Sequence, residues 1–334
     1  MTKLIAETAW HHEGDYAFMK NLVTRICEFS RADIVKLHIT LDLDEYMSKD
    51  HEAYETLKSW MFTAEQWAEL IDIVRNNDKE LMLLLNDVKA IEFAKKFSPE
   101  LIEIHSVCLN VPRLQMAVIE NIDAKSKVVI GIGGCTLDEV KSAVDFFHDR
   151  ETIFMFGFQN YPTKYEDVNL GKIRKIQNLF PLKSCGYADH TAWNQENNEL
   201  ISLLVCANGM DYLEKHVTTE YGVERCDYSA AISIEHLNIL YEKMKLLDNI
   251  NGDSSMLLNK AEEEYSKYGP MKMAAIAKRN LKKGRVLAIK DIHFCRTSQT
   301  TNVSQIDLLK YIGKNLVENV EINQVINWNH LSDK

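Results

Sequence analysis

Two short stretches hold the residues best suited to chemistry. "GYADHTAW" (186–193) carries His190, and "YLEKHVTT" (212–219) carries Glu214 and His216. Each stretch begins as a strand candidate, and the two candidates are neighbours in chain order. Adjacent strands lie about 5 Å apart, so the two imidazoles can converge on one divalent ion. Glu214 would orient one of them or a bound water. Two histidines leave an incomplete set of ligands. Water and substrate oxygens would complete it, which describes a catalytic rather than a structural metal. The plainer alternative keeps both histidines as hydrogen-bonded strand ends, with Glu214 and Lys215 on a solvated margin.

The elements that must position these residues follow one rhythm. Eight aliphatic or β-branched runs occur at 3–10, 33–39, 81–86, 101–106, 127–133, 152–158, 184–189 and 212–218. Amphipathic stretches at 15–29, 64–77, 136–148, 167–180, 196–208 and 233–247 read as helices between and after them. Strands alternating with helices predict a (β/α)8 TIM barrel over 1–250. A doubly wound sheet would place a glycine-rich turn after its first strand, where "HHEGDY" stands instead. Chemistry in a barrel sits at the C-terminal strand ends. Those ends carry Glu7, Lys36 with His38, Glu103 with His105 and Ser106, Gln159 and Tyr161, His190, and Glu214 with His216. Residues two apart on a strand share a face, so Lys36 and His38 point the same way, as do Glu214 and His216.

From 251 to 270 the pattern breaks into a polar stretch that reads as a linker. Residues 271–334 hold short β runs and tight turns, and predict a small β-rich domain. The chain has 334 residues and a formal net charge of −10, with no lysine- or arginine-rich block. That composition argues against nucleic-acid binding. No apolar run approaches the roughly 18 residues that cross a bilayer, and the N-terminus does not read as a signal peptide. Seven cysteines without CxxC spacing suit free thiols in a reducing compartment. A cytoplasmic protein that binds neither membrane nor nucleic acid is expected. There is no GxSxG elbow, and "GIGG" (131–134) lacks a P-loop lysine.

With these residues in view, the sequence resembles the sialic acid synthase family, whose members make N-acetylneuraminic, legionaminic and pseudaminic acids. The motifs are "IAETAWHHEGD" (5–15), "DIVKLHIT" (33–40), "NYPTKYEDVNL" (160–170), "GYADHT" (186–191) and "LEKHVT" (213–218). The tail from Arg279 resembles the family's SAF domain, similar to type III antifreeze proteins. The resemblance implies condensation of phosphoenolpyruvate with an N-acyl amino sugar. It implies a divalent metal on His190 and His216, typically Mn²⁺, with Mg²⁺ or Co²⁺ also compatible with two histidines. Glu7 matches a catalytic glutamate and Lys36 the second-strand lysine; Glu214 joins them as a catalytic candidate. Ser106, Tyr161 and Asp227 match substrate-binding positions. His38 and Gln159 stand where the family has other polar substrate-binding residues. Arg296 matches an arginine that reaches the sugar site of the other subunit in a domain-swapped homodimer.

Several positions depart from the family pattern. Glu103 replaces a donor-binding lysine, Gly131 and Ala188 replace serines, and the segment after the third strand differs. Most of these positions would hold the donor. A different oxo-acid donor or sugar, or a sugar-binding paralogue without turnover, are therefore the alternative readings.

Overall fold

The computed structural model of the chain describes residues 2–157 and 160–331. Eight strands form the first unit: β1 (Lys3–Glu7), β2 (Ile34–Ile39), β3 (Glu80–Leu85), β4 (Leu101–Ile104), β5 (Lys127–Gly131), β6 (Thr152–Phe156), β7 (Ser184–Asp189) and β8 (Tyr212–Thr218). Each pairs in parallel with the next, and β8 pairs with β1, so the sheet closes into a (β/α)8 barrel. A two-residue strand, β9 (Ile232–Ser233), extends the sheet at the end of β8.

Three runs end earlier as strands than their composition suggests. β1 stops at Glu7, and Ala9 then adopts a left-handed φ of 48°. β4 stops at Ile104, where Ser106–Cys108 form one 3-10 turn. β5 stops at Gly131, short of the turn through Gly134 at φ 79°. These polar and glycine-containing tails become the loops at the barrel mouth.

Helix starts are fixed by local caps. Asp15 caps Tyr16–Phe29, and Ser233 caps Ile234–Asn251. Thr63 with Gln66 and Thr136 with Glu139 form capping boxes for Ala64–Asn76 and Leu137–Phe146. Helices at Val88–Ala94 and Pro112–Asn121 follow β3 and β4 and complete the alternation.

Period-two alternation splits each strand between two cores. Ile5, Ile34, Met82, Leu101, Val129 and Ile153 fill the barrel interior. Their neighbours Leu4, Val35, Leu83, Ile102 and Val128 face the helices. Two residues beyond the interior layer come Glu7, Lys36 and Glu103. The apolar plug is therefore a floor on which charged side chains stand.

The second compact unit spans Asp253–Lys334. The stretch expected as linker holds a capped helix, Lys260–Tyr265. Beyond it, β10 (Ala274–Ala277) pairs antiparallel with β11 (Ile292–Cys295) over a core that includes Leu281, Leu287, Leu316 and Val320. The Asp291 side chain is enclosed here. It accepts from Arg285 Nε at 3.1 Å, Arg279 Nε at 3.0 Å and the Ala288 N–H at 3.2 Å. Arg285 and then Arg279 hold its carboxyl down to about 2.

Candidate active site

Strand register brings the charged groups together. Glu7 on β1 stands opposite Lys36 on β2 and opposite His216 on β8. Glu214, one step below His216 on the same face, stands beside Ala188 of β7. These side chains line a cavity of about 240 Å³ at the C-terminal mouth. His38, Ser106, Tyr161, His190 and Asp227 line it too. Gln159 lies outside the described residues. Arg296 belongs to the second unit, where it is exposed and its Nε donates to the Pro270 carbonyl at 2.8 Å.

At the cavity floor one ammonium is shared by three carboxylates. Lys36 Nζ lies 2.6 Å from Glu103 Oε2, 2.9 Å from Glu214 Oε2 and 3.1 Å from Glu7 Oε2. Burial alone would lower the lysine, but Glu103, Glu214 and Glu7 outweigh it and hold it charged. Burial pushes the Glu214 carboxyl up to about 8; Glu7 adds to the rise and Lys36 opposes it. Glu214 thus carries a proton much of the time near neutral pH, while Lys36 stays cationic.

His190 and His216 face each other with ring centroids 4.7 Å apart. Together with Glu214 they offer three ligand atoms within 4.8 Å of one another. The Nδ1 of His216 is buried without a hydrogen-bond partner. An orphaned nitrogen at that depth is costly unless something binds it. Two imidazoles and a carboxylate are a donor set for a first-row divalent ion, so these residues fit the metal expected here. The Tyr161 ring lies 4.7 Å from His190 and 5.7 Å from His216, and forms one wall. Burial, with Asp227 and Glu7 nearby, keeps its hydroxyl protonated. Tyr161 is placed by the Thr163 N–H, which donates to the His190 carbonyl at 2.8 Å.

Asp227 is held by the loop after β1. The Trp10 N–H approaches its Oδ2 at 3.4 Å, and His11 Nδ1 donates to the adjacent Cys226 carbonyl at 2.5 Å. The φ of Asp227 is 62°, a conformation that a non-glycine residue adopts at some cost. His38 lines the cavity with its Nε2 2.8 Å from Asn86 Nδ2, so the amide fixes its ring.

Behind the two histidines lies a second buried pair. Asp189 and Lys215 precede His190 and His216 and are paired across β7 and β8. Lys215 Nζ lies 3.2 Å from Asp189 Oδ2, and both side chains are fully buried. Asp189 also accepts from Ser202 Oγ at 2.5 Å and from the Thr191 N–H at 2.9 Å. Burial would raise its carboxyl; Lys215, Ser202 and Thr191 together lower it. Lys215 is therefore no solvated margin. It ties the two strands together one residue before each histidine.

Charge also bears on stability. Burial lowers His12 and His216 to about 3 each, so both are neutral in the fold. Their unfolded value is about 6.5. Below it the unfolded chain takes up protons that the fold refuses, so stability is present above pH 6.5 and lost as pH falls toward 3. Between pH 7 and 5.5 the two together should lose about 2–3 kcal/mol. Glu214, raised in the fold, works in the opposite sense over the same range. The readout is therefore the difference between the unchanged protein and His12→Asn/His216→Asn in urea unfolding without metal. Parallel pH profiles for the two proteins would contradict the assignment.

Residue types alone did not mark Trp10 or His105 as lining the cavity. Trp10 lies in the loop after β1, where strand alternation gives no face; His105 was visible only as a strand-end residue.

The chain is similar to several known proteins. Residues 28–256 match the NeuB family. An uncharacterised protein of Methanocaldococcus jannaschii is 25% identical, covering 99% of this chain and 94% of its own. The N,N'-diacetyllegionaminic acid synthase of Legionella pneumophila is 24% identical, covering 98% and 94%. In fold, the chain is similar to a spore coat polysaccharide biosynthesis protein E structure from Chromobacterium violaceum, with a TM-score of 0.83, 17% identity and full coverage of both chains. A match across more than two thirds of its residues, spanning β2 through β8 and both cavity histidines, makes this chain a member of the NeuB family.

Proposed function

We propose that this chain joins a three-carbon 2-oxo-acid unit to the aldehyde of an open-chain amino sugar, making a nonulosonic acid. The observation that carries the reading is the convergence of His190, Glu214 and His216 beside Glu7 in one cavity. Family membership and the legionaminic acid synthase relative support it. A divalent ion held by His190 and His216, Mn²⁺ before Mg²⁺ or Co²⁺, would polarise the sugar aldehyde as a Lewis acid.

The chain's own groups do the rest. Glu7 Oε2 sits 3.1 Å from Lys36 Nζ and 3.4 Å from His216 Nε2, where it can hold or move a proton at the reacting carbon. Lys36 holds Glu7 in place. Tyr161 and Asp227 supply a flat wall and a hydrogen-bond acceptor for the sugar. Ser106 and His38 line the opposite side.

The test is mass spectrometry of reactions with Mn²⁺, a panel of hexosamine-derived sugars and ¹³C-labelled three-carbon donors. A product heavier by the donor's three labelled carbons, lost on adding a chelator, is expected. No carbon–carbon product from any pair would leave a sugar-binding protein without turnover.

The second unit is proposed as an SAF domain serving a neighbouring subunit in a cytoplasmic homodimer. Arg296→Ala should raise the KM for sugar about tenfold or more, the scale of a lost charged hydrogen bond. Its unfolding midpoint should not move. Mixing Arg296→Ala with His190→Ala subunits should restore activity, since one site of each mixed dimer is then complete. No recovery on mixing would rule out action across subunits.

A further inference from the structure

The cavity has a charge imbalance that bears on its donor. Among the described residues lining it, four carboxylates (Glu7, Glu103, Glu214 and Asp227) face one ammonium, Lys36. Its Nζ donates to both Glu214 oxygens, at 3.0 and 2.9 Å, and lies 2.6 Å from Glu103 Oε2 and 3.1 Å from Glu7 Oε2. Lys36 is therefore committed to its neighbours. Glu103 makes the shortest of these contacts, at 2.6 Å. Its other oxygen faces Gly131, where a Cβ would come within 3.4 Å of Oε1 and 2.8 Å of the Ser106 nitrogen. A hydroxyl-bearing side chain does not fit at 131 without displacing its neighbours. At position 131 that wall offers an incoming anion no hydroxyl, and at position 103 it offers a carboxylate in place of a free cation.

We propose that Glu103 sets donor choice: the cavity takes a 2-oxo acid of the pyruvate type, with one carboxylate, and rejects its phosphorylated enol. This rests on the condensation reading above. A divalent ion adds two positive charges; with Glu214 ionised as its ligand, the four carboxylates still exceed Lys36 and the ion by one charge. A single carboxylate on the donor can be met by that ion. A further phosphate of nearly two charges finds no uncommitted cation among the described residues lining the cavity, and repels Glu103 through a medium of low polarity.

The chemistry balances without phosphate. The proton leaving C3 of the 2-oxo acid goes to Glu7. The C3 carbon bonds to the aldehyde carbon, and the alkoxide formed takes a proton back from Glu7. Nothing is oxidised or reduced and no group leaves, so the product is a 4-hydroxy-2-oxo acid. The addition is reversible, whereas loss of phosphate from an enol phosphate is effectively not.

Two measurements test this on the full chain. The first is calorimetric binding of pyruvate and of phosphoenolpyruvate, each with and without Mn²⁺. Pyruvate should bind at least about tenfold more tightly, and Glu103→Gln should tighten phosphoenolpyruvate about tenfold while moving pyruvate less than about threefold. The second is product formation with phosphate release followed in parallel. Product from pyruvate, with cleavage back to pyruvate when product is supplied, is expected. Product from phosphoenolpyruvate with equal phosphate release, faster than from pyruvate, overturns this proposal and leaves the condensation reading standing. An unchanged binding ratio in Glu103→Gln also overturns it. If that variant does not fold, the ratio in the unchanged protein decides. Neither binding nor product from either donor overturns both readings together.

Discussion

His190→Ala is expected to lose tight binding of one Mn²⁺ and to lower condensation roughly a thousandfold, the scale of removing a group that stabilises charge in the reacting state. The imidazole stands at the end of β7, facing His216 at 4.7 Å between ring centroids. Little of the apolar core depends on it, so the unfolding free energy should move by about 1 kcal/mol or less. Calorimetric titration with Mn²⁺ and urea unfolding read the two effects separately. Unchanged metal affinity in the variant would remove His190 from the ligand set. A large loss of stability would mean that its place is structural.

The second large effect lies behind the cavity. Lys215→Met should cost about 3–5 kcal/mol, because it strands the Asp189 carboxylate in a buried position without its counter-ion. Ser202 and Thr191 still donate to that carboxylate, but they do not neutralise it. Asp189→Asn/Lys215→Met should recover part of the loss, since an amide needs no counter-ion. Urea unfolding of the three proteins measures this. A cost under about 1 kcal/mol for the single variant would show that Asp189 takes up a proton instead. The same variant should weaken Mn²⁺ binding, because the pair fixes the strands one residue before each histidine.

The barrel was legible because its strands obey alternation. Interior residues such as Ile5, Ile34 and Leu101 recur with the charged residue two places on, and that spacing put Glu7, Lys36 and Glu103 on one face. The stretches read as helical from 64 and from 136 start within a residue of the helices Ala64–Asn76 and Leu137–Phe146. The exact strand ends were less legible. In a run such as "LIEIHS" the strand could run on through His105 and Ser106, and the 3-10 turn at Ser106 decides where pairing stops.

Charge partners were harder to read. The placement of Lys36 and Glu103 at strand ends followed from the order of the strands. The sharing of Lys36 among three carboxylates did not, because β1, β2, β4 and β8 meet only once the barrel has closed. A solvated margin was an open alternative for Lys215, since an isolated "EK" carries no sign of burial. Its partner Asp189 lies 26 positions away, and the pairing depends on the β7–β8 register. Trp10 and His11 sit in a loop whose path is set by contacts with Cys226 and Asp227, more than 200 residues further on.

The most direct measurement is anomalous diffraction at the manganese edge from crystals grown with Mn²⁺. One peak between the imidazoles of His190 and His216, with Glu214 beside it and absent from His190→Ala crystals, is the expected result. No peak in the cavity, or manganese bound away from both histidines, would contradict the account.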